Sequence, residues 1–287
     1  MSGAAHDRPR ALVPGESLGP FLAAAVTVGA LGALIGLLSS GARPVLLVLV
    51  AISPTPFGAW LVWREHGRFG VTRLFRRVLR WRFSPAYYAI ALLLAPAVTL
   101  SAQSIAVLSG HEGPDDWILS PTAALSPELL VLIPGVVLTE IGWRGFALPA
   151  AMLRLGSVVG ALVIGVAEGV WNLGLVGLGA DAPPLGALAV IGSALAWSPI
   201  WAFLTQRTNG SLLATILFHL SLLYWADVVP GDAVGAAIAL ALYGVAAVWA
   251  SSRLPSPRAR QPRPPTLRVP GLQGARARGL GRRRTRT

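Results

Sequence analysis

Long apolar segments follow one another through most of this chain and restrict the folds that it can adopt. They lie at 21–38, 45–63, 86–108, 128–152, 157–178, 185–205, 211–229 and 233–249. A helix of about 20 apolar residues is long enough to cross the hydrocarbon core of a bilayer. Only 13% of the 287 residues are charged, against about 25% in soluble domains. The sequence therefore predicts an all-α polytopic membrane bundle of about eight transmembrane helices, with membrane lipid as its surroundings.

The distribution of arginine predicts how this bundle is oriented. All 24 basic residues are arginine, with seven between positions 64 and 82 and eleven between 251 and 287. The loop at 109–127 holds no arginine and three acidic residues. Because basic loops stay on the cytoplasmic side, we expect both termini in the cytoplasm, in a plasma membrane of bacterial type.

The chain has no cysteine, which excludes disulfides and thiolate metal sites.

Shorter features divide the chain further. Residues 1–20 are expected to be a cytoplasmic segment, and 21–250 the transmembrane bundle. The prolines within 53–56 predict a kink in the second span, and the arginines of 64–83 alternate with apolar residues as in a surface-lying amphipathic helix. The tail at 251–287 has six prolines and no acidic residue, which predicts disorder. Either it attracts anionic lipid or it only sets the topology; no nucleic-acid partner is expected.

Few ionisable residues lie deep inside the predicted spans. They are Glu140, Arg144, Glu168 and His219. A charged side chain at the centre of a membrane helix costs about 2.5–3.5 kcal/mol on insertion scales, so such residues usually meet a partner or a wet cavity. Glu140, Glu168 and His219 lie about ten residues from the expected cytoplasmic helix ends, which predicts one shared site. The alternatives are a bracing Glu140–Arg144 ion pair at i, i+4 and a hydrogen-bonded core histidine.

The residues around these positions resemble a known family. The run 139–149, Thr-Glu-Ile-Gly-Trp-Arg-Gly-Phe-Ala-Leu-Pro, is similar to the first motif of the CAAX-protease and bacteriocin-processing (CPBP) intramembrane metalloproteases. The segments 165–173 and 208–219 resemble the surroundings of that family's second and third motifs, in the same order. Residues 128–227 would then be the CAAX-protease-like core. The resemblance implies cleavage of a peptide or prenylated peptide with a divalent metal, zinc above all.

Three positions depart from the family pattern. Thr139 stands where the family has its first glutamate, Asn172 where it has a metal-binding histidine, and Leu223 where it has an asparagine for the oxyanion. Threonine is no general base, asparagine is not a usual zinc ligand, and leucine has no donor. We therefore expect lost or impaired catalysis. If the site is functional, its cofactor is a divalent metal, zinc above all; if it is not, no cofactor is expected.

Two other interpretations remain open from the sequence. In the first, the family site is rebuilt, with Glu140 as base, Arg144 orienting it, and His219 and Glu168 on the metal. In the second, the chain is a small-molecule transporter or a membrane scaffold, which the buried charges and the broken helix at 53–56 permit. Whether the chain is an enzyme is therefore undecided at this stage.

Overall fold

The computed structural model of this chain describes residues 16–111, 127–178, 186–229 and 232–255. The helices in these ranges are α1 (Leu18–Leu38), α2 (Arg43–Ile52), α3 (Pro54–Arg76), α4 (Pro85–Leu108), α5 (Pro127–Glu140), α6 (Leu148–Leu155), α7 (Ser157–Leu178), α8 (Gly186–Arg207), α9 (Leu212–Val228) and α10 (Ala233–Ser252). A π-helical segment, Ile141–Ala147, joins α5 to α6. The predicted N-terminal segment and tail lie mostly outside the described residues.

The helices have the length and hydropathy that membrane spans require. Within the described ranges, seven helical segments of at least 18 residues are apolar enough to cross a membrane, and α9 is an apolar helix of 17 residues. The predicted all-α polytopic membrane bundle is confirmed, and the chain is an integral membrane protein. The predicted span at 211–229 corresponds to the shorter α9.

On α1, small residues face the inside of the bundle and large apolar residues near its end are exposed, a pattern that suits helices packed closely within lipid. The buried face of α1 includes Gly29, Gly32 and Gly36, whereas Leu38 is 81% exposed. Glycine lets two helices approach closely: a Cβ placed on Gly174 of α7 would collide with the backbone of Gly29. This crossing holds α1 against α7.

The second predicted span and the predicted amphipathic helix together correspond to α2 and α3, which are separated by a single residue. The helix is interrupted at Ser53, whose hydroxyl donates to the carbonyl of Val50 at 2.7 Å, in agreement with the expected break. The predicted surface helix over 64–83 is wrong in its bounds, because the helix that carries these arginines ends at Arg76. A left-handed backbone at Gly67, with φ of 61°, bends α3 where the arginine-rich part begins.

Candidate functional site

Two of the candidate site residues, Glu140 and Arg144, lie where α5 is joined through the π-helical segment to α6. Glu140 is the last residue of α5, and Arg144 lies in the π-helical segment, where every residue is buried. Glu168 lies midway along α7 and His219 midway along α9. A π-helical turn is uncommon and occurs mostly at functional sites, and here it sets the direction of the Arg144 side chain.

Hydrogen bonds and ion pairs join these residues into one quartet, defined as Glu140, Arg144, Glu168 and His219, of which all but the partly exposed His219 are buried. Nδ1 of His219 lies 2.8 Å from Oε1 of Glu140. Nη1 of Arg144 lies 3.5 Å from that same oxygen and donates a hydrogen bond to Oε1 of Glu168. The structure thus brings together the residues that the sequence placed at one depth.

Arg144 interacts more closely with α7 than with its own helix. The sequence suggested an ion pair with Glu140 at i, i+4, and the 3.5 Å contact exists, but the hydrogen bond goes to Glu168. The π-helical turn after Glu140 changes the angle between the two side chains, which sequence spacing alone does not reveal. Arg144 therefore links two helices and two carboxylates, all of them buried.

An aromatic surface completes the environment of the guanidinium group. Cζ of Arg144 lies 3.5 Å from the ring centroid of Trp201 on α8, a distance at which a cation is attracted to the aromatic face. The same ring lies 5.6 Å from the His219 ring. Trp201 was not predicted from the sequence, because no spacing signal distinguishes it among ten tryptophans.

Arg77, at the end of α3, supports the backbone of the π-helical segment. Pro149 has no N–H group, so the carbonyl of Gly145 lacks its helical donor four residues on. Nη1 of Arg77 donates to that carbonyl at 2.6 Å, and Nε donates to the carbonyl of Gly210 at 2.7 Å. Burial, and then the charge of Arg80, lower the pKa of Arg77 to about 10, so the group remains a cation at neutral pH.

Replacing Arg77 with methionine should therefore destabilise the protein. The change leaves the carbonyls of Gly145 and Gly210 without this donor, and each such loss costs about 1–3 kcal/mol. Unfolding in mixed micelles titrated with dodecyl sulfate would measure the difference. The matched control is Arg76→Met, since Arg76 is the exposed neighbour; equal stability of the two variants would contradict the assigned role of Arg77.

The three positions that depart from the family pattern have structural surroundings of their own. The Thr139 hydroxyl donates to the carbonyl of Ala51 on α2 at 3.0 Å, so it joins two helices. Asn172 is half-buried on α7 and forms no hydrogen bond to the quartet within the described residues. Leu223 packs against a small apolar cluster that includes Ile216.

The quartet fits a metal ion poorly. Among the residues that the structure describes, no group of three or more histidine, cysteine, aspartate or glutamate side chains is placed to hold one. Glu168 is bound to Arg144 rather than directed to a shared centre with His219. A catalytic zinc site needs three protein ligands. The positive charge of Arg144 would also repel a metal cation bound beside it. We therefore derive no reaction step through a metal.

Comparison with known proteins agrees with the resemblance of the sequence motifs. Residues 121–224 match the family model described as type II CAAX prenyl endopeptidase Rce1-like. The matched region contains the whole quartet and also Thr139, Asn172 and Leu223. No curated protein matches the chain.

Proposed function

We propose that this chain, whose residues 121–224 belong to the Rce1-like type II CAAX prenyl endopeptidase family, binds a lipid-modified peptide without cleaving it. In this proposal the metallopeptidase site of the family has become a structural centre held together by ion pairs and hydrogen bonds. A neighbouring cleft keeps the ability to accept a ligand from the membrane surface.

The position of Arg144 between two carboxylates is the observation that carries the loss of catalysis. A general base must be free to take a proton from water, and a metal ligand must direct its lone pair to the metal. Here Glu140 faces both Arg144 and His219, and Glu168 accepts a hydrogen bond from Arg144. Thr139, in the place of the first glutamate of the family, serves as a link to α2.

The cleft lies beside the π-helical segment, at the arginine-rich end of α3. It has a volume of about 360 Å³, and its lining includes apolar Val62, Phe69 and Leu74 together with His66 and Arg73. A ligand with an apolar chain and a terminal carboxylate matches this cleft. The apolar residues cover the chain, and the carboxylate can pair with the guanidinium group of Arg73. The carboxyl end of a prenylated peptide has this chemistry.

Metal content and cleavage, measured on the same preparation, test the proposal. The protein purified without chelator should contain no zinc after supply of the metal, should not cleave a farnesylated peptide, and should bind it. The triple variant Thr139→Glu, Asn172→His, Leu223→Asn restores the family residues and is expected to gain zinc and activity.

A different outcome would favour the rebuilt site. About one zinc per chain, lost in both Glu168→Ala and His219→Ala and accompanied by cleavage, would make the wild type an active metallopeptidase. Absence of zinc, cleavage and peptide binding together would overturn the proposal in favour of a scaffold. Proteoliposome uptake that depends on Glu168 would instead indicate a transporter.

We also propose that both termini face the cytoplasm, because the arginines concentrate on one side. Seven lie between 64 and 82 and eleven between 251 and 287. A reporter that is active only in the cytoplasm, fused after Thr287, should be active; an inactive but full-length fusion would reverse this orientation.

A further inference from the structure

A second cavity lies away from the arginine-rich cleft, among α4, α8, α9 and α10. Its volume is about 270 Å³, well above the roughly 150 Å³ of an engineered protein cavity that binds benzene. Its lining residues come from the end of α4, the beginning of α8, the end of α9 and the beginning of α10. It therefore occupies one half of the described bundle.

Polar groups without hydrogen-bond partners face or border this cavity. Gln103 is only 4% exposed, lines the cavity and forms no hydrogen bond with any described residue. The ring of Trp197 also lines it, and the buried indole Nε1 has no acceptor in the described part of the chain. Buried polar groups are nearly always paired, so Gln103 and Trp197 indicate a ligand with a hydrogen-bond acceptor.

The remaining surface of the cavity limits the charge that a ligand can carry. Apolar Leu222, Leu223, Val229, Ala239 and Leu240 form much of the wall. Among the described lining residues there is no arginine, aspartate or glutamate, and the one histidine, His219, is already bonded to Glu140. A charged ligand would lose its hydration without gaining a counter-ion.

From these observations we infer that the cavity binds a neutral amphipathic molecule, an alkyl chain that ends in an amide, ester or ketone carbonyl. The carbonyl accepts hydrogen bonds from the amide of Gln103 and the indole N–H of Trp197, and the chain packs against the leucine and alanine wall. Leu223, which replaces the asparagine of the family, makes that wall apolar. The inference does not depend on the proposed loss of catalysis, because it needs only the donors of Gln103 and Trp197 and the apolar wall.

Photolabelling of the full chain in lipid nanodiscs tests this inference. The probe is an N-methyl octanamide that carries a diazirine on its chain, and peptide mass spectrometry locates the labelled residues. Saturable labelling on α4, α8, α9 or α10 at the lining residues is expected. Unlabelled N-methyl octanamide should compete at least about tenfold better than octanoate, which has the same chain but a charge.

Variants separate the cavity from general partitioning into lipid. Gln103→Leu and Trp197→Phe each remove one donor and should weaken labelling about two- to tenfold, the usual effect of one hydrogen bond. Ala239→Phe should abolish labelling because it fills the cavity. Ala89→Phe, in a separate apolar cavity with Leu93 and Trp249, is the control and should leave labelling unchanged.

The same experiment can overturn the inference. Labelling that does not saturate, that spreads over lipid-facing residues, or that octanoate competes equally well would do so. Unchanged labelling in Ala239→Phe would also do so. Gln103→Leu and Trp197→Phe are two independent donor variants, so one that fails to fold still leaves the other, and thermal unfolding without probe identifies which variants are folded.

Discussion

Replacing Arg144 with methionine should lower the free energy of unfolding by about 3–5 kcal/mol, the usual cost of removing one partner from a buried ion pair. The guanidinium group is fully buried and contacts both Glu140 and Glu168. Without it, two carboxylates remain in an interior with no compensating arginine. Titration with dodecyl sulfate in mixed micelles, followed by circular dichroism, would measure the loss.

Compensating substitutions distinguish charge balance from packing in this prediction. Adding Glu140→Gln and Glu168→Gln to Arg144→Met removes the unpaired charges and should restore most of the lost stability. The exposed Arg76→Met is again the matched control. An Arg144→Met protein as stable as the wild type would contradict the structural role of the quartet, and with it the proposed loss of catalysis.

The sequence predicted the bundle well because each span carries its own signal. Hydropathy over about 20 residues identifies a membrane helix without knowledge of its neighbours, and the rarity of buried charge selected Glu140, Arg144, Glu168 and His219. Their common depth followed from 1.5 Å of rise per residue in a helix. These features are local, so they could be read from the sequence.

The partners within the site could not be predicted in the same way. The contact between Arg144 and Glu168 depends on a π-helical segment, and Arg77 of α3 caps carbonyls of that segment. Pro149 was a visible sign of the free Gly145 carbonyl, but the sequence does not reveal the donor. The stacking of Trp201 on Arg144 likewise depends on how α8 packs. Such contacts join residues that are distant in the sequence.

The close contact between Gly142 and Pro54 leads to the second large prediction. A Cβ on Gly142 would lie 2.5 Å from the carbonyl oxygen of Pro54 on α3 and would also collide with other Pro54 atoms. Because the obstacle is backbone rather than a flexible side chain, Gly142→Ala should cost about 3 kcal/mol, the upper end of the usual range for overpacking. It should also displace the π-helical segment that carries Arg144.

Gly135→Ala is the matched control, since a Cβ there would meet nothing within 4 Å. Alanine is the better helix former by about 1 kcal/mol, so this variant should be as stable as the wild type or slightly more stable. Opposite signs for two identical substitutions seven residues apart would show that close packing against α3, not helix propensity, determines the effect at Gly142. Equal effects of the two would mean that α3 can move away, and that the geometry around Arg144 does not depend on this contact.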